Sequence, residues 1–574
     1  MKRTNKRITL VFYCVVLTAA ALVLKLLQIQ VWEHDRFEKF SSRQISKQEK
    51  AGTPRGFIYD RHKRILAMDV ESLSFSAFPG EIKDVKGFSS KLGDCLNMPP
   101  AIISQKLNSG KNFVYIKRKF VPDKLLSESP DALKGFTSRM RELKKEGLIV
   151  DAEPCRYYPH KNITSQIVGV VGTDGAGLSG VEFMLDKFIK RSRAGDTGST
   201  RRGIRADNYQ NRINVSLTID STLQHIAAAE MEKIIEKYSP QKAFIIMQDP
   251  RTGEILAIVS WPWFDPNEHE FSTKDLKIPA IHDVFEPGST FKIVSAASAL
   301  DEGAFAEDDI IYCENGKYKF ADRVINDHEK RDYLTFEGVF AYSSNIGFAK
   351  IGNKVGKERL YYWMRQFGFG AWTGINMAGE QKGLMLSPKS RGWTVVTTPN
   401  ISYGQGVGVT GLQVINAYSC IANGGILYEP SIIKSVFDDG GNVLDAMGPR
   451  EIRRALSPDI ARRLRSLLVK AVGYGTGQQA QVKGYTVAGK TGTAQKIDPA
   501  TRKYAADRHI ASFCGFLPAK NPALVILVVI DEPKGNYWAS EVACPSFREV
   551  AAKAMNYMKI PRKETPYEFT KISR

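Results

Sequence analysis

Cysteine is scarce in this chain, with seven in 574 residues, at positions 14, 95, 155, 313, 420, 514 and 544. None belongs to a Cys-x-x-Cys pair, so the set is neither a disulfide framework nor a zinc site, although a single disulfide stays open. Cys420 and Cys514 lie in apolar runs and read as small core residues. The eight histidines include no His-Glu-x-x-His, which argues against a metalloenzyme of that type. Internal repeats and low-complexity tracts are missing. The glycine-rich stretch from Gly169 to Gly180 lacks the Gly-x-x-x-x-Gly-Lys-Ser/Thr of a phosphate loop and reads as turns. Acidic residues are the minority, 61 against 81 basic, for a net charge of +20. That balance suits an anionic partner. The basic residues are scattered, however, and no zinc-finger or aromatic RNA motif accompanies them, so nucleic acid is not expected as a partner.

What is present is an ordinary globular composition, 43% hydrophobic and 25% charged, in a chain long enough for several domains. Lys2, Arg3, Lys6 and Arg7 precede an apolar run from Ile8 that continues past Lys25 to Val31 and Trp32. A helix of that length crosses a bilayer core of roughly 30 Å. The basic flank predicts residues 1–7 inside, an anchor over 8–31 and the bulk of the chain outside. Ala19-Ala20-Ala21 could serve a signal peptidase, but apolar sequence continues beyond it, which favours an uncleaved anchor.

Residues 33–50 are polar and read as a stalk, followed to about 213 by mixed strands and helices. A second region opens near 214. Asp220 and Ser221 are candidate caps for a helix with Leu223, Ile226, Ala227, Ile234 and Ile235 at helical spacing. Ala243–Gln248 and Ile255–Ser260 flank the turn sequence Asp249-Pro250-Arg251-Thr252-Gly253, which predicts a hairpin. Leu524–Ile530 reads as a buried central strand. Together these predict an α+β fold with helices on a mainly antiparallel sheet. A polar tail occupies 561–574.

Pro287-Gly288-Ser289-Thr290-Phe291-Lys292 places a Pro-Gly turn before an alanine-rich helical pattern. Ser289 then stands at a helix start with Lys292 on the same face. A serine hydroxyl needs a neighbouring base, and a lysine supplies one when burial or a nearby cation lowers its pKa. Ser-x-x-Lys alone says little, since about two are expected by chance at ordinary residue frequencies. The chain has others at Ser239–Lys242 and Ser431–Lys434. Only Ser289 has the turn before it and the helix after it. Ser343-Ser344-Asn345 and the Lys490-Thr491-Gly492-Thr493 segment follow in order. The three form the serine, Ser-x-Asn and Lys-Thr-Gly triplet of penicillin-recognising acyl-serine enzymes.

With these motifs the sequence resembles the class B penicillin-binding proteins over nearly its whole length. Arg43-Gln44-Ile45, Pro54-Arg55-Gly56-Phe57-Ile58-Tyr59-Asp60-Arg61, Arg156-Tyr157-Tyr158-Pro159, Gly177 to Glu182, and Leu217-Thr218-Ile219-Asp220 look like the family's boxes. So do Gly404-Gln405-Gly406 with Val409-Thr410, and Asp531-Glu532-Pro533. Glu286 before Pro-Gly-Ser is similar to the division-specific, FtsI-type branch. The chain departs at Ala539-Ser540, where relatives often carry Gly-Gly, and no clear Leu-x-Gly-x-x-Gly stands around 188–198.

The resemblance implies a peptidoglycan D,D-transpeptidase: an anchor at 8–31, a pedestal over 32–213 and a transpeptidase domain over 214–560 of the serine β-lactamase type. It implies Ser289 as nucleophile, Lys292 as general base, Ser343 as proton relay and Asn345 as an orienting amide. Lys490, Thr491 and Thr493 would bind the substrate carboxylate on the Lys-Thr-Gly strand that includes Gly492. The N–H groups of Ser289 and Thr493 would form the oxyanion hole. No cofactor or metal is called for. The implied partners are stem peptides (a D-Ala-D-Ala donor and an amine acceptor), β-lactams, a polytopic glycan polymerase and division proteins of the bacterial inner membrane, with catalysis outside the cytoplasm. An elongation-specific transpeptidase and a D,D-carboxypeptidase share these motifs and stay open as alternatives.

Overall fold

The computed structural model describes residues 55–121, 130–193 and 212–562, apart from 174, 269–270, 499 and 502, with a few positions between 12 and 28. Among these residues no helix is long and apolar enough to cross a membrane. Half of the expected anchor at 8–31 falls outside the described residues, and the stalk and residues 563–574 fall wholly outside them. The chain forms two compact units, one of Gly56–Val70 with Arg156–Arg574 and one of Glu71–Cys155 with Met1–Arg55.

The larger unit is built on five antiparallel strands: β1 (Lys242–Gln248), β2 (Ile255–Trp261), β3 (Ala488–Ile497), β4 (Tyr504–Leu517) and β5 (Leu524–Asp531). Their spatial order is β3-β4-β5-β1-β2. The predicted hairpin is β1–β2, closed by the turn at 249–253, and the apolar run at 524–530 is the middle strand. Along β5, Val525, Leu527 and Val529 enter one core, while Ile526, Val528 and Ile530 enter another. Burial on both faces explains why this strand is apolar throughout instead of alternating. The helices that matter for the site are α1 (Ser221–Tyr238), α2 (Lys292–Asp301), α3 (Asn345–Val355), α4 (Gly411–Ala422), α5 (Pro458–Gly473) and α6 (Ala539–Tyr557). Helices α1 and α6 pack on one face of the sheet, and α2 and α4 belong to the core on the other. Asp220 caps α1 by accepting from the N–H groups of Thr222 and Leu223, a contact of about 1 kcal/mol.

A second sheet brings early sequence onto late sequence. Strand Ile58–Tyr59 pairs in parallel with Ile213–Leu217, which pairs antiparallel with Ile433–Asp438. Asp60 is fully buried and accepts from the N–H groups of His62 and Arg64 and from the Ser221 hydroxyl at 2.7 Å. Those donors hold its carboxyl below the ordinary aspartate value against the opposing effect of burial. Arg156 is a second node. It donates to Glu182 at 2.6 Å, to Asp69 at 3.0 Å and to the carbonyl of Gly56 at 2.8 Å. The Arg156 and Glu182 side chains are 2% and 0% exposed.

In the other unit, the second half of strand Ile65–Ala77 pairs with Val114–Phe120, and the strand also pairs with Leu148–Tyr157. Helices Val85–Leu96, Pro100–Leu107 and Pro130–Lys145 accompany it. Phe75, Phe88, Leu92, Ile103, Ile116 and Leu143 form its core.

Removing one member of a buried ion pair costs about 3–5 kcal/mol, because the other charge is left unpaired. Asp69 still faces Arg156, so Glu182→Ala is expected to cost about 3 kcal/mol, at the low end of that range. Chemical denaturation should show a clearly lower midpoint, and a wild-type midpoint would refute this weight for the pair.

Candidate active site

Gly288–Phe291 is a 3₁₀ turn that runs directly into α2, whose first residue is Lys292. In 3₁₀ geometry side chains three apart eclipse, so Ser289 and Lys292 project the same way. The other two Ser-x-x-Lys matches are not arranged like this. Ser239 is the left-handed C-cap of α1, with Lys242 paired to Asp283. Lys434 lies on strand Ile433–Asp438.

The turn is held by close backbone approaches. Gly404 has φ +90°, and a Cβ there would fall 1.9 Å from the Gly288 carbonyl oxygen. A Cβ at Gly492 would meet the Pro287 carbonyl at 2.8 Å. Glycine at 492 thus lets strand β3 lie directly against the turn that carries Ser289.

Lys292 is fully buried. Its Nζ donates to the Ser343 carbonyl at 2.8 Å, the Ser343 hydroxyl at 3.1 Å and Asn345 Oδ1 at 2.8 Å. Burial first, and the Lys490 ammonium second, push its amine well below the ordinary lysine value, while Asp327 opposes them. As an uncharged amine it donates its two N–H bonds to the Ser343 carbonyl and Asn345 Oδ1 and turns its lone pair, which can take a proton, toward the Ser343 hydroxyl. Ser343 adopts φ +63°, a left-handed conformation that costs on the order of 1 kcal/mol outside glycine. That conformation accompanies the approach of both its carbonyl and its hydroxyl to the same amine.

The Ser343-Ser344-Asn345 segment is fixed by a residue that no sequence motif marked. Asp327 Oδ1 accepts from the N–H groups of Asn345 at 2.5 Å and Ile346 at 3.0 Å, and Oδ2 accepts from the Ser344 hydroxyl. Ser344 in turn caps α3 by accepting from Gly347 N–H. Asp327 sits in a loop between short strands, where a lone aspartate reads as an ordinary turn residue.

Lys490, on edge strand β3, is also fully buried, and burial lowers its amine to about 7. Its Nζ lies 3.4 Å from the hydroxyls of both Thr476 and Thr491. Those two hydroxyls are 2.6 Å apart. Thr476 is the second residue the motifs missed, and only its setting in Gly475-Thr476-Gly477 hinted at a turn. The Thr493 hydroxyl accepts the N–H of Ala539, the first residue of α6, at 3.2 Å. That leaves its own O–H free to donate. Ala539-Ser540, in place of the relatives' Gly-Gly, simply begins the helix, and neither residue needs a positive φ.

Ser289, Ser343, Asn345, Thr491 and Thr493 all line one cavity of about 360 Å³, with Thr476, Tyr403 and Gln405. His328 and Trp538 of its lining lie 4.0 Å apart between ring centroids, and Tyr537 lies 4.8 Å from Trp538. The cavity presents the Ser289 hydroxyl, and the buried amines of Lys292 and Lys490 bond to residues of its wall, a set suited to acyl transfer from a carboxylate-bearing substrate.

Residues 243–552 match the family model for the penicillin-binding protein transpeptidase domain, and residues 50–198 that for the penicillin-binding protein dimerisation domain. The probable peptidoglycan D,D-transpeptidase PbpC of Pseudomonas aeruginosa is 30% identical over 98% of this chain and 96% of that protein. The peptidoglycan D,D-transpeptidase FtsI of Escherichia coli is 29% identical over 96% of this chain and 92% of that protein. Among solved structures, penicillin-binding protein 3 of the tuberculosis bacterium in complex with ampicillin superposes with a TM-score of 0.68 at 26% identity. It covers 90% of this chain and 97% of that one. The chain therefore belongs to the class B penicillin-binding proteins of the FtsI type, a dimerisation domain followed by a penicillin-binding transpeptidase domain.

Proposed function

We propose that this chain cross-links peptidoglycan by acyl transfer through Ser289. The observation that carries the reading is the buried Lys292 amine, which bonds to Ser343 and Asn345, two residues that line the cavity with Ser289. Uncharged Lys292 takes the Ser289 proton as Oγ attacks the carbonyl of the penultimate D-Ala of a stem peptide. The N–H groups of Ser289 and Thr493 receive the developing oxyanion. Ser343 passes a proton to the leaving D-Ala. Asn345 orients the donor amide and Lys292. Lys490 with the Thr491 and Thr493 hydroxyls holds the terminal carboxylate, and Gly492 keeps the strand close to the turn. An amine of a second stem peptide then releases the acyl group. A β-lactam enters by the same attack and stays on Ser289.

The reading extends to a single-pass inner-membrane protein anchored by 8–31, with the transpeptidase domain of 214–560 outside the cytoplasm. It acts at the division septum with a polytopic glycan polymerase and division proteins. The basic flank and apolar run support the anchor, and Glu286 with the FtsI likeness supports the septal role. A fluorescent fusion should gather at midcell, and uniform side-wall labelling would favour elongation instead.

Three outcomes test the chemistry. Fluorescent penicillin should label a single peptide at Ser289, and Ser289→Ala should lose the label; a modified residue elsewhere would overturn the assignment. The rate of acylation should follow a bell in pH. It rises as Lys292 loses its proton above its lowered pKa, and falls past about 7 as Lys490 loses the charge that holds the carboxylate. A carboxylate-free acylating ester should lack the alkaline limb. Asp327→Ala should slow acylation about a hundredfold through misplacement of Ser343 and Asn345. An unchanged rate would remove Asp327 from the positioning set.

A further inference from the structure

The active-site cavity has a larger neighbour. A cleft of about 830 Å³ lies between the segment 279–286, the end of β3 and the loop 406–408. The two share their walls along the chain: Gln405 and Ala494 line the active-site cavity, and the next residues, Gly406 and Gln495, line the cleft. Glu286 lines the cleft three residues before Ser289. Phe244, Val407, Ile510 and Val529 give it an apolar floor. Leu384 and Ile497 also line it, with 69% and 48% of their surface exposed. Large aliphatic side chains left in water around a concave surface are a mark of ligand contact.

Its carboxylates are unequal. Asp283 is paired with Lys242, and Asp531 with Lys496 at 2.9 Å. Glu286 forms no ion pair among the described residues. Its donors among the described residues are neutral, the Gly406 N–H and the Tyr504 hydroxyl, each at 3.0 Å. A half-sheltered carboxylate with neutral donors keeps its charge uncompensated and favours a cation brought beside it.

The reaction needs, besides the acyl donor, a primary amine that arrives as an ammonium. We infer that this cleft is the acceptor site: it receives the amine-bearing stem peptide along its apolar floor, with Glu286 taking the ammonium beside the acylated Ser289. The assignment rests on the acyl-enzyme reading above. In the step, Glu286 accepts one ammonium proton and later releases it to water. The freed nitrogen bonds to the acyl carbon and the bond from that carbon to Ser289 Oγ breaks. A second nitrogen proton reaches Oγ through Lys292, leaving an amide and a free serine.

The test uses the full-length protein in detergent, a D-Ala-D-Ala donor peptide and two acceptors. One is a stem peptide with a free side-chain amine, and the other is hydroxylamine, uncharged at neutral pH. The measured quantity is the share of acyl-enzyme that becomes amide instead of hydrolysed peptide. Glu286→Gln should raise the peptide concentration for half-transfer about tenfold while leaving hydroxylamine unaffected. Leu384→Trp, at an exposed position, should do the same by filling the cleft, with penicillin acylation within about twofold of wild type. Wild-type partition in both variants would overturn the site alone. A Leu384→Trp protein that slows donor acylation instead would assign the cleft to the donor and overturn it too. A wild-type enzyme that only hydrolyses at every amine concentration would overturn the transfer reading and the site with it.

Discussion

Lys292 and Lys490 are both fully buried, and neither forms an ion pair among the described residues. Taking an ammonium out of water costs several kcal/mol even after relaxation, so a fold that buries two such amines close together is driven to discharge one. The surroundings meet that constraint with neutral acceptors. Lys292 receives a carbonyl, a hydroxyl and an amide oxygen, and Lys490 receives threonine hydroxyls. A carboxylate set directly against Lys292 would raise its pKa and remove the base. Asp327 comes near enough to oppose the downward shift, yet its hydrogen bonds go to Ser344, Asn345 and Ile346. It therefore shapes the loop that faces Lys292 without neutralising the amine.

The same site depends on how closely backbones approach. Strand β3 is an edge strand, so one side of it is free to face the Ser289 turn. By the two-residue alternation of a strand, Lys490, Gly492 and Ala494 point to one face and Thr491 and Thr493 to the other. A side chain at 492 would push the turn away, and one at 404 would collide with Gly288. The glycines thus bring the elements carrying the proposed nucleophile and the proposed carboxylate binder together.

These relations explain what could be read from the sequence. The central strand at 524–530 and the hairpin around 249–253 were legible because burial on both faces and an Asp-Pro-Arg-Thr-Gly turn leave local patterns. The three motifs were legible because their order is distinctive, although Ser289 sits in a 3₁₀ turn and Lys292, not Ser289, opens the α-helix. Asp327 and Thr476 were not legible. Each is a single polar residue in a loop, and its role exists only through partners far along the chain. Glu286 was visible as a mark of resemblance, but its lack of a cationic partner is a property of the folded surroundings.

The N-terminal boxes show the opposite case, a resemblance without an evident reason until the contacts are seen. Gly56, Asp60, Arg156 and Glu182 carry no chemistry. Arg156 binds Glu182, Asp69 and the Gly56 carbonyl in one buried node, and Asp60 anchors Ser221 at the start of α1. These residues belong to the same compact body as the catalytic sheet. Helix α1 then packs beside α6, whose first N–H fixes the Thr493 hydroxyl. The early segments are thus part of the support for β3. Damage at Arg156 would reach the site as lost stability of that support, not as a missing group in the cavity.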